Sequence, residues 1–163
     1  MPSWKILGTI GSILMLFWFI FPNFGGAFAV SGLILVLIAV RDISREKGKN
    51  SIFRDFLVAS IFLLPFIVLS SAFMAAAYYS IELISQLFWT FLPYLAVLWI
   101  LSILGSVFLR RSFKAIAEAT GNNVFRITAN LYLISALLLL TAIGFLILFL
   151  AIFLQTFAFI SAK

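Results

Sequence analysis

The chain has 163 residues, 65% of them hydrophobic and only 10% charged, with a mean hydropathy of +1.26. Soluble domains carry about a quarter charged residues, so a water-soluble globule is excluded and most of this surface needs lipid as its solvent. The absence of Cys and His excludes disulfides, thiol chemistry and the usual zinc and haem ligands, and the net charge of +6 follows from membrane topology without calling for nucleic acid.

No charge falls in residues 6–40, 56–81, 83–109 or 127–162. A transmembrane helix needs roughly 20 mostly apolar residues. The fold class is therefore all-α: a polytopic transmembrane helical bundle forming a single integral membrane domain over 1–163. The first span is expected over 4–21. Pro22-Asn23-Phe24-Gly25-Gly26 then ends a helix and permits reversal, and a short second span follows over 24–40. Lys5, the apolar run after it and Ala27-Phe28-Ala29 also have the outline of a signal peptide. Cleavage there would leave Val30–Val40, too short to span, so two retained helices are expected.

A basic stretch at 41–55 leads into a third span over 56–79, which contains Pro65. The link Ser80–Ser85 carries Glu82 and no Lys or Arg. A fourth span over 86–109 contains Pro93 and continues past the apolar run. In that continuation Phe113, Ile116, Ala117 and Thr120 fall at helical spacing, and Lys114 and Glu118 form an i,i+4 pair. A second basic stretch occupies 110–126.

The C-terminal third has two readings. Val124–Ile160 as one helix would run about 55 Å, well beyond a hydrocarbon core of about 30 Å. Two short spans could reverse near Thr141–Gly144. Alternatively, the first turns pack back against the extension of the fourth helix, and one span covers 136–160. A reversal without a polar cluster leaves backbone groups unpaired in lipid. Five spans with the C-terminus outside are therefore expected, and six spans with Lys163 inside are the alternative.

Lys5, the five Lys and Arg of 41–54 and the four of 110–126 fall on one side of this scheme, while the links at 22–26 and 80–86 have none. An excess of Lys and Arg marks the cytoplasmic face. The expectation is a multi-pass protein of the cell membrane with its N-terminus in the cytoplasm.

The two basic stretches share a phrase: Gly48-Lys-Asn-Ser-Ile-Phe-Arg54 and Gly121-Asn-Asn-Val-Phe-Arg126. Gly reaches the left-handed conformation that ends a helix. Asn50 or Ser51, and Asn123, are placed to cap the next helix. The apolar pair re-enters the membrane, and the Arg can snorkel to the phosphate layer. Each phrase reads as the turn of a cytoplasmic hairpin, giving two hairpins of like orientation. Chance convergence of two tight turns is the plainer account.

The second phrase with the following LYLISALLLLTAIGFLILFLAIFLQTFAF, and NSIFRDFLVASIF at the first, resemble a prokaryotic family of small multi-pass membrane proteins. It is catalogued as domain of unknown function nine hundred ninety-six. The layout agrees over roughly 6–160, although only those two stretches carry the likeness in residues. The resemblance implies no activity and no functional residues. It also implies cytosolic zinc-binding tails on some members, which would favour an inside C-terminus over the five-span count.

Candidate sites are few. Glu82, Gln86, Thr90 and Tyr94 follow i,i+4 spacing and form a polar stripe. Gln155 and Thr156 are expected at similar depth. An outward-facing polar pocket for a small ligand or lipid headgroup is one reading, and helix–helix hydrogen bonding is the plainer one. Arg54, Arg110, Arg111, Lys114 and Arg126 are candidate headgroup contacts, although topology alone explains them. Asp42, Glu46 and Asp55 read as a salt-bridged turn in preference to a metal site. Gly8/Gly11/Ser12, Gly25/Ala29, Ser71/Ala75/Ala76 and Ser102/Gly105/Ser106 permit close helix approach, within the bundle or across a dimer.

No span carries a charge at its centre, which relays and ion-coupled carriers usually need. No catalytic, metal or cofactor-binding residue is expected. The reading is a non-enzymatic integral membrane protein, accessory or structural. The alternatives are a carrier or channel for a neutral or apolar solute, or a lipid-binding protein. Its expected partners are membrane lipids and a second copy or another membrane protein.

Overall fold

A computed structural model describes residues 2–21, 23–79 and 81–162, with side chains described outside 73–91. Among these residues there are six helices: α1 (Ser3–Phe17), α2 (Gly25–Glu46), α3 (Asn50–Tyr79), α4 (Ile81–Thr120), α5 (Asn123–Leu137) and α6 (Ala142–Ser161). α2, α3, α4 and α6 contain segments long and apolar enough to cross a membrane, which fits a membrane protein, and α1 is a shorter apolar helix.

Each helix packs on its neighbours in the chain, and α6 packs back on α1, so the six close into a ring. One end of the ring gathers the charge. The Trp4 indole N–H donates to Glu46 across the α1–α2 seam (2.7 Å). The buried Ser112 hydroxyl of α4 donates to the Ile52 carbonyl at the start of α3 (2.8 Å). Asn122 reaches Ser161 at the end of α6 (3.0 Å). These contacts bring Lys5 and both basic stretches to the same end.

That end is filled with aromatic rings. Phe56, Phe113, Phe125 and Phe159 are fully buried, and their centroids follow one another at 5.9, 5.8 and 5.2 Å across α3, α4, α5 and α6. The edge-to-face Phe125–Phe159 contact is a preferred aromatic geometry. Small residues make the close seams. Gly11 and Gly32 lie backbone to backbone where α1 meets α2, Gly8 sits under the Phe159 ring, and Gly105 faces Leu63. Of the expected small-residue clusters, those within the described side chains serve packing inside the bundle.

Both glycine turns form as the sequence indicates. Gly48 has φ +65° and Gly121 has φ +66°. At the first turn Lys49 N–H donates to the Ser44 carbonyl and Gly48 N–H to Arg45, the paired bonds of a left-handed helix stop. The cap of α5 is Asn122, not the Asn123 expected: its Oδ1 accepts from Val124 N–H at 3.0 Å. α4 does run on past its apolar stretch to Thr120.

Two expectations change. α1 ends at Phe17, four residues before the expected boundary. The chain there tightens into successive three-residue bonds, Trp18 to Met15, Phe19 to Leu16 and Ile20 to Phe17. The span expected over 136–160 is divided: α5 stops at Leu137, and α6 starts at Ala142. Thr141 supplies what a polar cluster was thought necessary to supply. Its hydroxyl donates to the Leu138 carbonyl (2.7 Å) and accepts from Gly144 N–H (3.3 Å), while its own N–H donates to Leu138 (2.9 Å). Gly144 has to be glycine, because a Cβ there would overlap the Leu138 carbonyl. Six helices thus stand where five spans were expected, four of them long and apolar enough to cross a membrane, and the end of α6 lies beside the Asn122 turn.

Candidate functional site

The ring encloses polar groups within an apolar interior. On α5 the Tyr132 hydroxyl donates to Gln155 Oε1 of α6 (2.5 Å). Gln155 Nε2 donates to Ser12 Oγ of α1 (2.8 Å), and Ser12 donates to the Gly8 carbonyl (2.7 Å). Tyr132, Gln155 and Ser12 are 4%, 2% and 0% exposed, so no solvent competes for these bonds. The relay joins three helices at the seam where α6 closes on α1. Local sequence places each member: Gln155 follows Ala151 and Ile152 on the buried face of α6, and Ser12 follows Gly8 one turn earlier on α1.

Beside the relay lies a cavity of about 50 Å³, lined by all six helices. Its lining divides by chemistry. Met15, Leu33, Phe56 and Phe66 line it from α1, α2 and α3, and Leu109, Leu148 and Ile152 from α4 and α6, while its polar members, Ser102, Ser106, Ser135, Tyr132 and Gln155, all come from α4, α5 and α6. Ser102 donates to the Trp99 carbonyl (2.7 Å) and Ser135 to the Tyr132 carbonyl (2.8 Å). Phe56 of the aromatic cluster is part of this lining. Two further indoles tie neighbouring elements: Trp18 to Ser71 (2.9 Å) and Trp99 to the Ala136 carbonyl (2.9 Å).

Of the expected outer polar pocket, only Tyr94 and Gln155 have described side chains. The side chains of Glu82, Gln86 and Thr90 lie outside the described residues. Tyr94 is 63% exposed on α4, whereas Gln155 is buried. Their depths also differ. Tyr94 lies 16 residues, about 24 Å along the helix, beyond Arg110, itself in the basic stretch. Gln155 lies six residues, about 9 Å, from Ser161 at the charged end. Gln155 faces α5 and α1, with Thr156 bonded to its own helix at Ile152.

The five expected headgroup contacts all stand at the charged end, in different circumstances. Arg54 bridges Asp55 at 3.5 Å with its side chain 76% exposed. Arg110 Nε donates to Asn130 Oδ1 on α5 (3.0 Å), so it is held within the bundle. Arg111 lies 5.5 Å from the Phe108 ring centroid. Lys114 is half-buried and Arg126 exposed. Sequence reasoning did not pair Ser12 or Tyr132 with Gln155. Their only signal was a polar side chain on an otherwise apolar helix face.

A family model matches residues 28–153, from early in α2 to midway through α6, and takes in both glycine turns and the Tyr132 segment. The chain belongs to the family described as Protein of unknown function (DUF996). An uncharacterized protein of Methanocaldococcus jannaschii is 27% identical over 162 residues, covering 96% of this chain and 90% of the relative. No solved structure matches the chain. In this DUF996 protein the buried Ser, Thr and Gln side chains among the described residues offer hydroxyls and the Gln155 carboxamide. Such groups join helices by hydrogen bonds across an apolar interior.

Proposed function

We propose that this DUF996 chain is a non-enzymatic, accessory or structural protein of the cell membrane, its charged end and N-terminus in the cytoplasm. The observation that carries the reading is the Tyr132–Gln155–Ser12 relay. Three buried polar side chains are spent on joining α5, α6 and α1, the use to which membrane bundles put polar residues. The concentration of Lys and Arg at one end of the ring supports the orientation. With six helices closing on each other, the C-terminal end of α6 belongs to the cytoplasmic side too.

The carrier reading needs the cavity to open to both faces. Its volume of about 50 Å³ holds one or two waters. Proteoliposomes containing the protein are expected to retain small neutral solutes as well as empty vesicles do. Saturable flux, reduced by Gln155→Leu, would overturn the structural reading and favour a carrier.

A further inference from the structure

On the outside of the ring, α2 and α3 meet along a shallow apolar groove of about 160 Å³. Leu33, Ile34 and Leu37 form one wall, and Ser60, Ile61 and Leu64 the other. Ile34 and Ile61 are 51% and 62% exposed, an apolar surface that a bilayer covers with acyl chains.

The charge beside this groove is placed in register with it. Seven residues make two helical turns, so the step returns to nearly the same face about 10 Å along the axis. From Ile34 toward the turn at 47–49, that step reaches Arg41. From Ile61 toward the same turn, it reaches Arg54. α2 and α3 are antiparallel neighbours, so equal steps from facing isoleucines keep the two arginines level. Both are exposed. Arg54 Nε lies 3.5 Å from Asp55 Oδ1, and the Arg54 side chain is 76% exposed. The polar layer of a bilayer is roughly 5–8 Å thick on each side of the hydrocarbon core. An offset of about 10 Å, with the reach of an arginine side chain, therefore sets the two guanidinium groups at phosphate depth when the isoleucines are in hydrocarbon. Arginine is the side chain suited to bidentate phosphate contact.

We propose that Arg41, Arg54 and the α2–α3 groove form a site for an anionic phospholipid, with its phosphate between the guanidinium groups and one acyl chain along the groove. The α4–α5 side supplies an internal contrast. Arg110 there is bonded to Asn130 and Arg111 leans on Phe108. The proposal rests on the charged end lying at a membrane surface.

Native mass spectrometry of the protein extracted from nanodiscs of mixed phosphatidylglycerol and phosphatidylcholine tests it. The wild type is expected to retain phosphatidylglycerol in preference to phosphatidylcholine. Arg41→Gln with Arg54→Gln should lower that retention on the order of tenfold, from the loss of two basic groups near the surface. Leu37→Trp, which fills the groove and keeps both charges, should lower it severalfold. Arg110→Gln with Arg111→Gln removes the same charge away from the groove and should lower it clearly less. Equal losses in the two arginine double variants, or undiminished retention in Leu37→Trp, would overturn the site. Should the Arg41/Arg54 variant fail to fold, the Leu37→Trp result decides. Labelling of a cysteine in the 47–51 turn reports separately on which side that end lies, so an error in orientation is distinguishable from the absence of a lipid site.

Discussion

Tyr132, Gln155 and Ser12 hold their hydrogen bonds where neither water nor lipid can replace them. Gln155→Leu strips the Tyr132 hydroxyl of its acceptor and Ser12 of its donor. The cost of leaving such groups unpaired is about 1–3 kcal/mol. Tyr132→Phe removes the donor and should cost less. Because the two changes remove the same bond, the double variant should lose less stability than the sum, by roughly 0.5–1.5 kcal/mol. Unfolding in a mixed-micelle titration measures this, and strict additivity would show that the two residues do not act together. Gln155 could be seen from sequence as a polar side chain in an apolar helix. Its partners could not, because Ser12 is 143 residues away and the pairing exists only once α6 has packed on α1.

The elements were legible where backbone chemistry announced itself. Gly48 and Gly121 marked both turns, and the extension of α4 was visible in the spacing of Phe113, Ile116 and Ala117. The break between α5 and α6 was not, since the reversal needed only one hydroxyl and one missing Cβ in place of a polar cluster. Thr141 and Gly144 are both common inside apolar helices, so neither announces a turn. The glycines themselves make a graded series. A Cβ on Gly48 or Gly121 meets nothing within 4 Å, so alanine there should cost only the conformational penalty, about 1 kcal/mol each. Alanine at Gly144 meets the Leu138 carbonyl and should cost clearly more, of order 2–3 kcal/mol. Thermal unfolding of the three single variants checks the order; a Gly144 variant as stable as the Gly48 one would mean that the turn relaxes freely. The turns also differ in reach. Asn122 caps α5 and, through Nδ2, also holds the Ala158 carbonyl (3.1 Å) and Ser161, tying the end of the chain to a turn 36 residues earlier.

For the whole molecule, the closed ring sets a topology that can be measured. The chain contains no cysteine, so single introduced thiols report without background. With Ser51→Cys and Ser161→Cys at the charged end, labelling by a membrane-impermeant maleimide should require permeabilised cells. Asn23→Cys, between α1 and α2, should label in intact cells. Labelling of Ser161→Cys from outside would refute a shared cytoplasmic end for α3 and α6, and labelling of Ser51→Cys from outside would invert the orientation.

The seam between α1 and α6 also bears on how the protein is made. A ribosome delivers α1 before α6, and the Gly8 shelf and the Ser12 hydroxyl lack Phe159 and Gln155 until α6 has been made. Through that interval this face of α1 meets lipid or the insertion machinery, while its other face packs on α2. The closing contact comes after α1 has α2 and α6 has α5 to pack on, so the ring is shut by its last seam. A nascent chain released before α6 would keep its polar seam open, and so would display the mark by which quality control recognises an unfinished membrane protein.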